Sequence, residues 1–177
     1  MMGGRGAGKT RAGAEWVRGM ALGLPGFASM PAGRIALVGE TAADARDVMV
    51  EGVSGILAVH RICERPVWLP SLKKLEWSNG AVAQLFSAED PEALRGPQFD
   101  FAWADEVAAW ASGAAWDNMQ LALRLGPRPR ALATTTPRTT PFVRRLVAAS
   151  ATVVTRGRTT DNRALSRHYM AAMLAEH

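Results

Sequence analysis

Eight residues at the start of the chain, Gly3-Gly4-Arg5-Gly6-Ala7-Gly8-Lys9-Thr10, fit the spacing G-x-x-x-x-G-K-[ST] without a mismatch. Glycines let the backbone curl so that successive N–H groups face a phosphate, and a helix starting at the end of such a loop adds the positive end of its dipole. The expected ligand is a triphosphate, ATP, with Lys9 reaching its β- and γ-phosphates and the Thr10 hydroxyl on Mg²⁺. The chain has only three lysines, Lys9, Lys73 and Lys74, and its other basic residues are arginines. A compact ammonium is thus kept where a guanidinium would fit badly. The bland alternative is a flexible glycine-rich terminus.

A second stretch makes that alternative less attractive. Phe99-Asp100-Phe101-Ala102-Trp103-Ala104-Asp105-Glu106 reads as a buried strand that ends in two carboxylates. Asp105 is the expected partner of the metal. Glu106, one step further, is placed to orient or deprotonate a water attacking the γ-phosphate. A third feature is Thr134-Thr135-Thr136-Pro137-Arg138 at the end of the next expected strand. Hydroxyls there could sense the γ-phosphate and pass its loss to the rest of the domain, although a threonine run also simply favours β structure.

The elements that must position these groups alternate. Thr10–Leu22 is rich in helix formers and stops at Gly23 and Pro25. Arg34–Val38 suits a buried strand, with Thr41 capping a helix over Ala42–Glu51. In Lys73–Ser87 the pair Asn79-Gly80 separates two alternating runs, a hairpin signal. A strand over Phe99–Ala104 follows, then a helix near Ala114–Leu123, a strand at Arg130–Thr135, a helix near Pro141–Ala148, a strand at Thr152–Thr155 and a helical segment from Asn162 to Glu176. This order predicts an α/β domain built on a mainly parallel sheet flanked by helices, with a small β-hairpin insertion.

Composition narrows the classes. A chain of 177 residues with 48% hydrophobic and 21% charged residues suits one water-soluble domain. No apolar run approaches the ~18 residues needed to span a bilayer, so no membrane partner is expected. Met1 leads directly into glycines and an arginine rather than into a secretory signal. The single Cys63 makes no internal disulfide, and His60, His168 and His177 lack zinc spacing. The net charge is +5, and no acidic residue separates Asp117 from Asp161. Arg124, Arg128, Arg130, Arg138, Arg144, Arg145, Arg156 and Arg158 fall in that gap, an expected footprint for a polyanion unless they form only a solvated face.

Taken together, GGRGAGKTRAGAEW, EALRGPQFDFAWADEVAAW and ALATTTPR resemble the ATPase half of the large terminase subunit of tailed bacteriophages and related gene-transfer particles. The resemblance implies a P-loop NTPase fold of the additional-strand, catalytic-glutamate type. It also implies ATP hydrolysis that drives double-stranded DNA into a procapsid. Gly3, Gly4, Arg5, Gly6, Ala7, Gly8, Lys9 and Thr10 would bind nucleotide, and Thr10 and Asp105 the metal. Glu106 would be catalytic with Lys9, and Thr134, Thr135 and Thr136 would couple hydrolysis to movement. Arg95 of the LRG stretch would be a finger entering a neighbour's site in a homo-oligomeric ring; its plain alternative is a surface ion pair with Glu92 or Glu89. Implied partners are the portal ring, the small terminase subunit and DNA, in the cytoplasm of a bacterial host carrying a virus or prophage-like element.

A phosphate loop ordinarily follows a buried strand, yet only Met1 and Met2 precede Gly3. The expected organisation is therefore a P-loop domain over 1–158 whose first strand is truncated, and the beginning of a linker over 159–177. No nuclease activity is expected, because beyond Asp117 the only carboxylate side chains are those of Asp161 and Glu176. Two alternatives stay open. One is a catalytically silent remnant that binds DNA or partners only. The other is a DExx-type nucleic-acid helicase, disfavoured because Asp105-Glu106-Val107-Ala108 lacks the further helicase residues.

Overall fold

In the computed structural model, which describes residues 1–166 and 168–171, alternating strand residues divide the core into two layers. Strand β2 (Arg34–Gly39) lies between β5 (Val82–Ser87) and β6 (Phe101–Ala104), parallel to both, and β7 (Arg130–Ala133) continues in parallel beyond β6. The sheet is completed by the short strands β3 (Val67–Leu69) and β4 (Lys74–Glu76), which pair antiparallel, giving the order β3-β4-β5-β2-β6-β7. Side chains alternate across a strand. Ile35, Leu37, Phe101 and Trp103 therefore enter one apolar cluster with Ala14, Val17 and Met20 of helix α1 (Lys9–Leu22). Ala36, Val38, Ala102 and Ala104 enter the other, with Leu94, Ala115 and Met119. Burial on both faces explains why β2 and β6 read as continuous apolar runs rather than alternating ones.

Local signals act as expected at several element ends. The Thr41 hydroxyl accepts from Asp44 N at 3.0 Å and caps α2 (Ala42–Asp44). After α2 the chain winds as a wider π-helix over Ala45–Val50, where one continuous α-helix was expected, and α3 (Ile56–Val59) follows. Gly80, at φ 89°, turns the β4–β5 hairpin, and the Asn79 amide donates to Ala21 O at 2.8 Å, tying that turn to α1. On the other face lie α4 (Ala114–Ala122) and α5 (Pro141–Ala148), the latter capped by Thr140, whose hydroxyl accepts from Val143 N at 3.2 Å.

Two expectations need correction. Thr152–Thr155 is not a strand; the ordered pairing comes just after it, where β8 (Arg156–Gly157) runs parallel to β1 (Met2–Gly3). The same few residues bridge to β7's continuation: Gly3 N donates to Thr135 O at 3.1 Å, and Thr135 N to Met1 O at 3.0 Å. A strand does stand directly before the phosphate loop: Met2–Gly3, in register with β8 on one side and bridged to Thr135 on the other. The expected helix over Asn162–Glu176 lies partly outside the described residues; within them Thr159–Asp161 forms a 3₁₀ turn and residues 168–171 are helical.

Helix α1 approaches β6 closely at Gly13. A Cβ added there would lie 2.1 Å from Cε2 of Trp103, a fully buried indole. Gly13→Ala is expected to lower the unfolding free energy by about 2 kcal/mol, the scale of overpacking a tight core. Urea titration of the variant checks this; an unchanged midpoint would mean that α1 can shift freely away from the sheet.

Candidate phosphate-binding site

The carboxyl ends of β2, β6 and β7 come to one edge of the sheet, and the loop before α1 meets them there. In open α/β sheets this edge is where ligands bind. The loop bends through two left-handed glycines, Gly6 at φ 75° and Gly8 at φ 82°, a conformation that a Cβ disfavours. Lys9 opens α1 and is 7% exposed. Its Nζ lies 3.1 Å from Glu106 Oε1 and donates to Gly4 O at 3.3 Å. Two residues separated by almost a hundred positions therefore share one small space.

Asp105 and Glu106 stand at the tip of β6 in different environments. Asp105 is buried at 6% exposure. Burial pushes its carboxyl up from the usual 3.8 to about 6; the Thr134 hydroxyl bond opposes this, the neighbouring Glu106 charge adds to it, and the Glu106 N–H and Lys9 oppose it. Glu106 is more open, and its backbone is left-handed at φ 47°. For a residue with a Cβ that conformation costs on the order of 1 kcal/mol, so other contacts must hold it. They are Thr136 N, which donates to Glu106 Oε2 at 2.9 Å, the Thr136 hydroxyl at 3.0 and 3.2 Å, and Lys9. A small cleft of about 110 Å³, lined by Gly39, Glu40, Asp44, Val48, Met49, Asp105 and Glu106, opens beside the two carboxylates.

Each of the three threonines has a distinct partner. The Thr134 hydroxyl bonds the Asp105 carboxylate and accepts from Trp103 Nε1 at 2.8 Å. Thr135 Oγ1 accepts from Ala108 N at 3.1 Å and donates to Thr136 O at 3.0 Å. Thr136 holds Glu106. Extended backbone puts residues i and i+2 on one side and i+1 on the other, which separates the two carboxylate-holding hydroxyls from the third. The sequence pointed to these threonines but not to their contacts with the carboxylates. The Trp103 indole was missed as well; its one signal is a Trp among alanines in a buried strand.

Two arginines stand apart from this cluster. Arg5 is exposed on the loop. Arg95 follows the 3₁₀ turn Pro91–Leu94, is 65% exposed, and pairs with Glu92 at 2.8 Å. Thr10 follows Lys9 in the first turn of α1 and is half-buried.

The description "Terminase large subunit, T4likevirus-type, N-terminal" matches residues 1–167. The chain belongs to this terminase family. No curated protein matches it. Among solved structures, the large terminase of a thermophilic bacteriophage superposes with a TM-score of 0.75 at 15% identity, covering 99% of this chain and 44% of that one. The same phage protein in complex with ATP-gamma-S gives 0.73 at 14% identity, over 99% and 43%. The large terminase ATPase domain of Thermus phage P74-26 gives 0.56 at 17% identity, covering 87% of this chain and 65% of that one. The chain spans less than half the length of the first of these terminases. The shared fold is that of terminase ATPase domains, as its mixed sheet with a parallel core leads one to expect. No helix among the described residues is long and apolar enough to cross a membrane.

Proposed function

We propose that this terminase chain binds ATP at the loop Gly3–Thr10 and hydrolyses it, as the motor part of a machine that moves double-stranded DNA into a procapsid. The observation that carries the reading is the meeting of Lys9 Nζ and Glu106 Oε1 at 3.1 Å. A loop cation and a general base must reach the same phosphate, and here the two are in direct contact, so that a phosphate drawing Lys9 away leaves Glu106 beside it. The thermophilic phage's terminase, a protein of the same fold, has been seen in complex with ATP-gamma-S, which supports nucleotide binding by this chain.

Loop N–H groups and Lys9 bind the phosphates, with Gly3, Gly4, Arg5, Gly6, Ala7 and Gly8 forming the cradle. When a polyphosphate claims Lys9, Glu106 loses its cationic partner but stays on Thr136, oriented to take a proton from a water. The cleft beside it has room for a few waters. A buried carboxylate such as Asp105, raised by desolvation, fits a divalent cation; Asp105 and Thr10 would hold Mg²⁺, which when bound offsets the charge of the phosphate oxygens. Thr134 touches Asp105 and Thr136 touches Glu106, so the triple threonine can couple events at the two carboxylates to β7. The place of β7, between β6 and the strand that precedes the phosphate loop, supports the additional-strand, catalytic-glutamate type of P-loop enzyme.

Arg95, exposed and paired with Glu92 at the surface, can enter the site of a neighbouring copy in a ring. The arginines between Asp117 and Asp161 would meet DNA phosphates without reading sequence. The portal ring and the small terminase subunit are the proposed protein partners, in the cytoplasm of an infected or lysogenic bacterium. The domain is assigned to 1–158, with 159–177 starting a linker.

The direct test is phosphate release by the purified chain with ATP and Mg²⁺ over a range of protein concentrations. Expected are magnesium-dependent turnover and a specific activity that rises with concentration, as a shared site requires. No turnover, with no ATP binding by calorimetry at millimolar nucleotide, would instead select the silent remnant.

A further inference from the structure

The stretch assigned to a linker grips the phosphate loop from outside. The Thr159 hydroxyl donates to Arg5 O at 2.8 Å, and the Asn162 amide donates to Gly6 O at 2.7 Å. The contact is close. A Cβ added at Gly4 would lie 2.7 Å from Thr159 Oγ1, and one at Gly6 would lie 3.0 Å from Tyr169 Cε1 and 3.1 Å from Leu165 Cδ1. The other end of the Asn162 side chain is engaged too, its Oδ1 accepting from Ala164 N at 3.1 Å, so the amide cannot turn away without losing both bonds.

Planarity gives these two bonds a directional effect. In a trans peptide the carbonyl of one residue and the N–H of the next point in opposite directions. Holding Arg5 C=O against Thr159 therefore aims Gly6 N–H away from the segment, and holding Gly6 C=O against Asn162 turns Ala7 N–H inward, where it donates to Gly4 O at 3.2 Å and closes the loop's own turn. Gly6 N–H is an amide of the stretch that would cradle phosphate, and the Ala7 bond fixes the shape of that stretch. Glycine at position 6 is otherwise free to rotate its flanking peptide planes, so an external grip has something to fix.

We propose that Thr159 and Asn162 are positioning residues for the phosphate loop, and that the gripping segment and a polyphosphate at the loop are thermodynamically linked. The linkage half rests on the ATP reading above; the positioning half does not. Linkage is reciprocal: if the grip improves phosphate binding, bound phosphate must tighten the grip by the same factor. The segment so tightened is the one that carries Thr159 and Asn162, so occupancy of the loop is read out in residues 159–166.

The experiment uses the full chain, Asn162→Ala, Thr159→Val and Thr159→Ser. Amide hydrogen exchange is read at Gly6, Ala7 and Gly8 without nucleotide, then at residues 159–166 with and without ATPγS, and calorimetry gives the ATPγS affinity. Expected is faster loop exchange in Asn162→Ala and Thr159→Val, with Thr159→Ser close to the unaltered chain because it keeps the hydroxyl. Each of the first two should weaken ATPγS by about threefold to tenfold, the range for one lost hydrogen bond. ATPγS should slow exchange in 159–166 of the unaltered chain. Equal unfolding temperatures separate these effects from loss of fold, and if Asn162→Ala unfolds, the Val and Ser pair at Thr159 carries the test. Unchanged loop exchange in Thr159→Val overturns the positioning role. ATPγS binding that leaves both the variants' affinities and the 159–166 exchange unaltered overturns the linkage. Failure of the unaltered chain to bind ATPγS removes the ATP reading together with the linkage, while loop exchange still decides the positioning.

Discussion

Glu106→Gln is expected to lower ATP turnover about a thousandfold while ATP affinity stays the same or improves a few-fold. A general base contributes roughly 10² to 10⁴ in rate, and an amide cannot take the proton of an attacking water. Gln keeps the shape, and its carbonyl oxygen can still accept from Thr136 N, so the left-handed turn at position 106 retains its support. What it loses is the ion pair with Lys9. In the unaltered chain a triphosphate must compete with Glu106 for that ammonium; in the variant it does not. Lys9→Ala should behave in the opposite way, losing affinity first. Calorimetric titration of ATP and single-turnover phosphate release separate the two. Normal release from Glu106→Gln would show that another group activates the water, and an affinity lost in parallel with rate would show that Glu106 organises the loop rather than the chemistry.

The contrast between Lys9 and the grip on its loop shows where sequence reasoning reaches. The loop, its helix, the carboxylate pair and the triple threonine carry local signals, because glycines at fixed spacing and a polar end on an apolar strand need no distant partner to be recognised. That Lys9 meets Glu106 follows once both are assigned to strand and loop ends on the same edge of a parallel sheet. Other features are set by tertiary contact alone. The π-helix over Ala45–Val50 carries no local signal that sets it apart from an α-helix, and it sits against Gly39, where an added Cβ would be 2.8 Å from Ala45 N. Strand β3 is three residues long and exists because β4 offers it an edge. The shift of the last strand from Thr152–Thr155 to Arg156–Gly157 is decided by Met2 and Gly3, which take their partners in register. Thr159 and Asn162 look like ordinary turn residues until the loop they hold is beside them.

Asp105→Asn is expected to abolish magnesium-dependent hydrolysis and, at the same time, to stabilise the nucleotide-free fold near neutral pH. The sign follows from the direction of the shift. Burial raises the folded-state carboxyl from 3.8 to about 6, so the folded chain holds this proton over a pH window in which the unfolded chain has released it. Below about pH 4 both states are protonated and the group costs nothing. Between about 4 and 6 stability falls as pH rises, and above 6 the full cost of a buried charge is present. Two pH units correspond to roughly 3 kcal/mol, an upper figure for this site. The groups facing the carboxylate are Thr134, Glu106 and Lys9; Thr134, the Glu106 N–H and Lys9 favour its charge, and the Glu106 carboxylate opposes it. Asn keeps an oxygen for the Thr134 hydroxyl and removes the repulsion from Glu106, so the variant should unfold about 5 °C or more above the unaltered chain at about pH 7.5 without Mg²⁺ and near the same temperature at about pH 4. Thermal unfolding at the two pH values reads the difference directly. A variant less stable at the higher pH would mean that Asp105 is held as an ion by its neighbours, and that the site is already satisfied before any metal arrives.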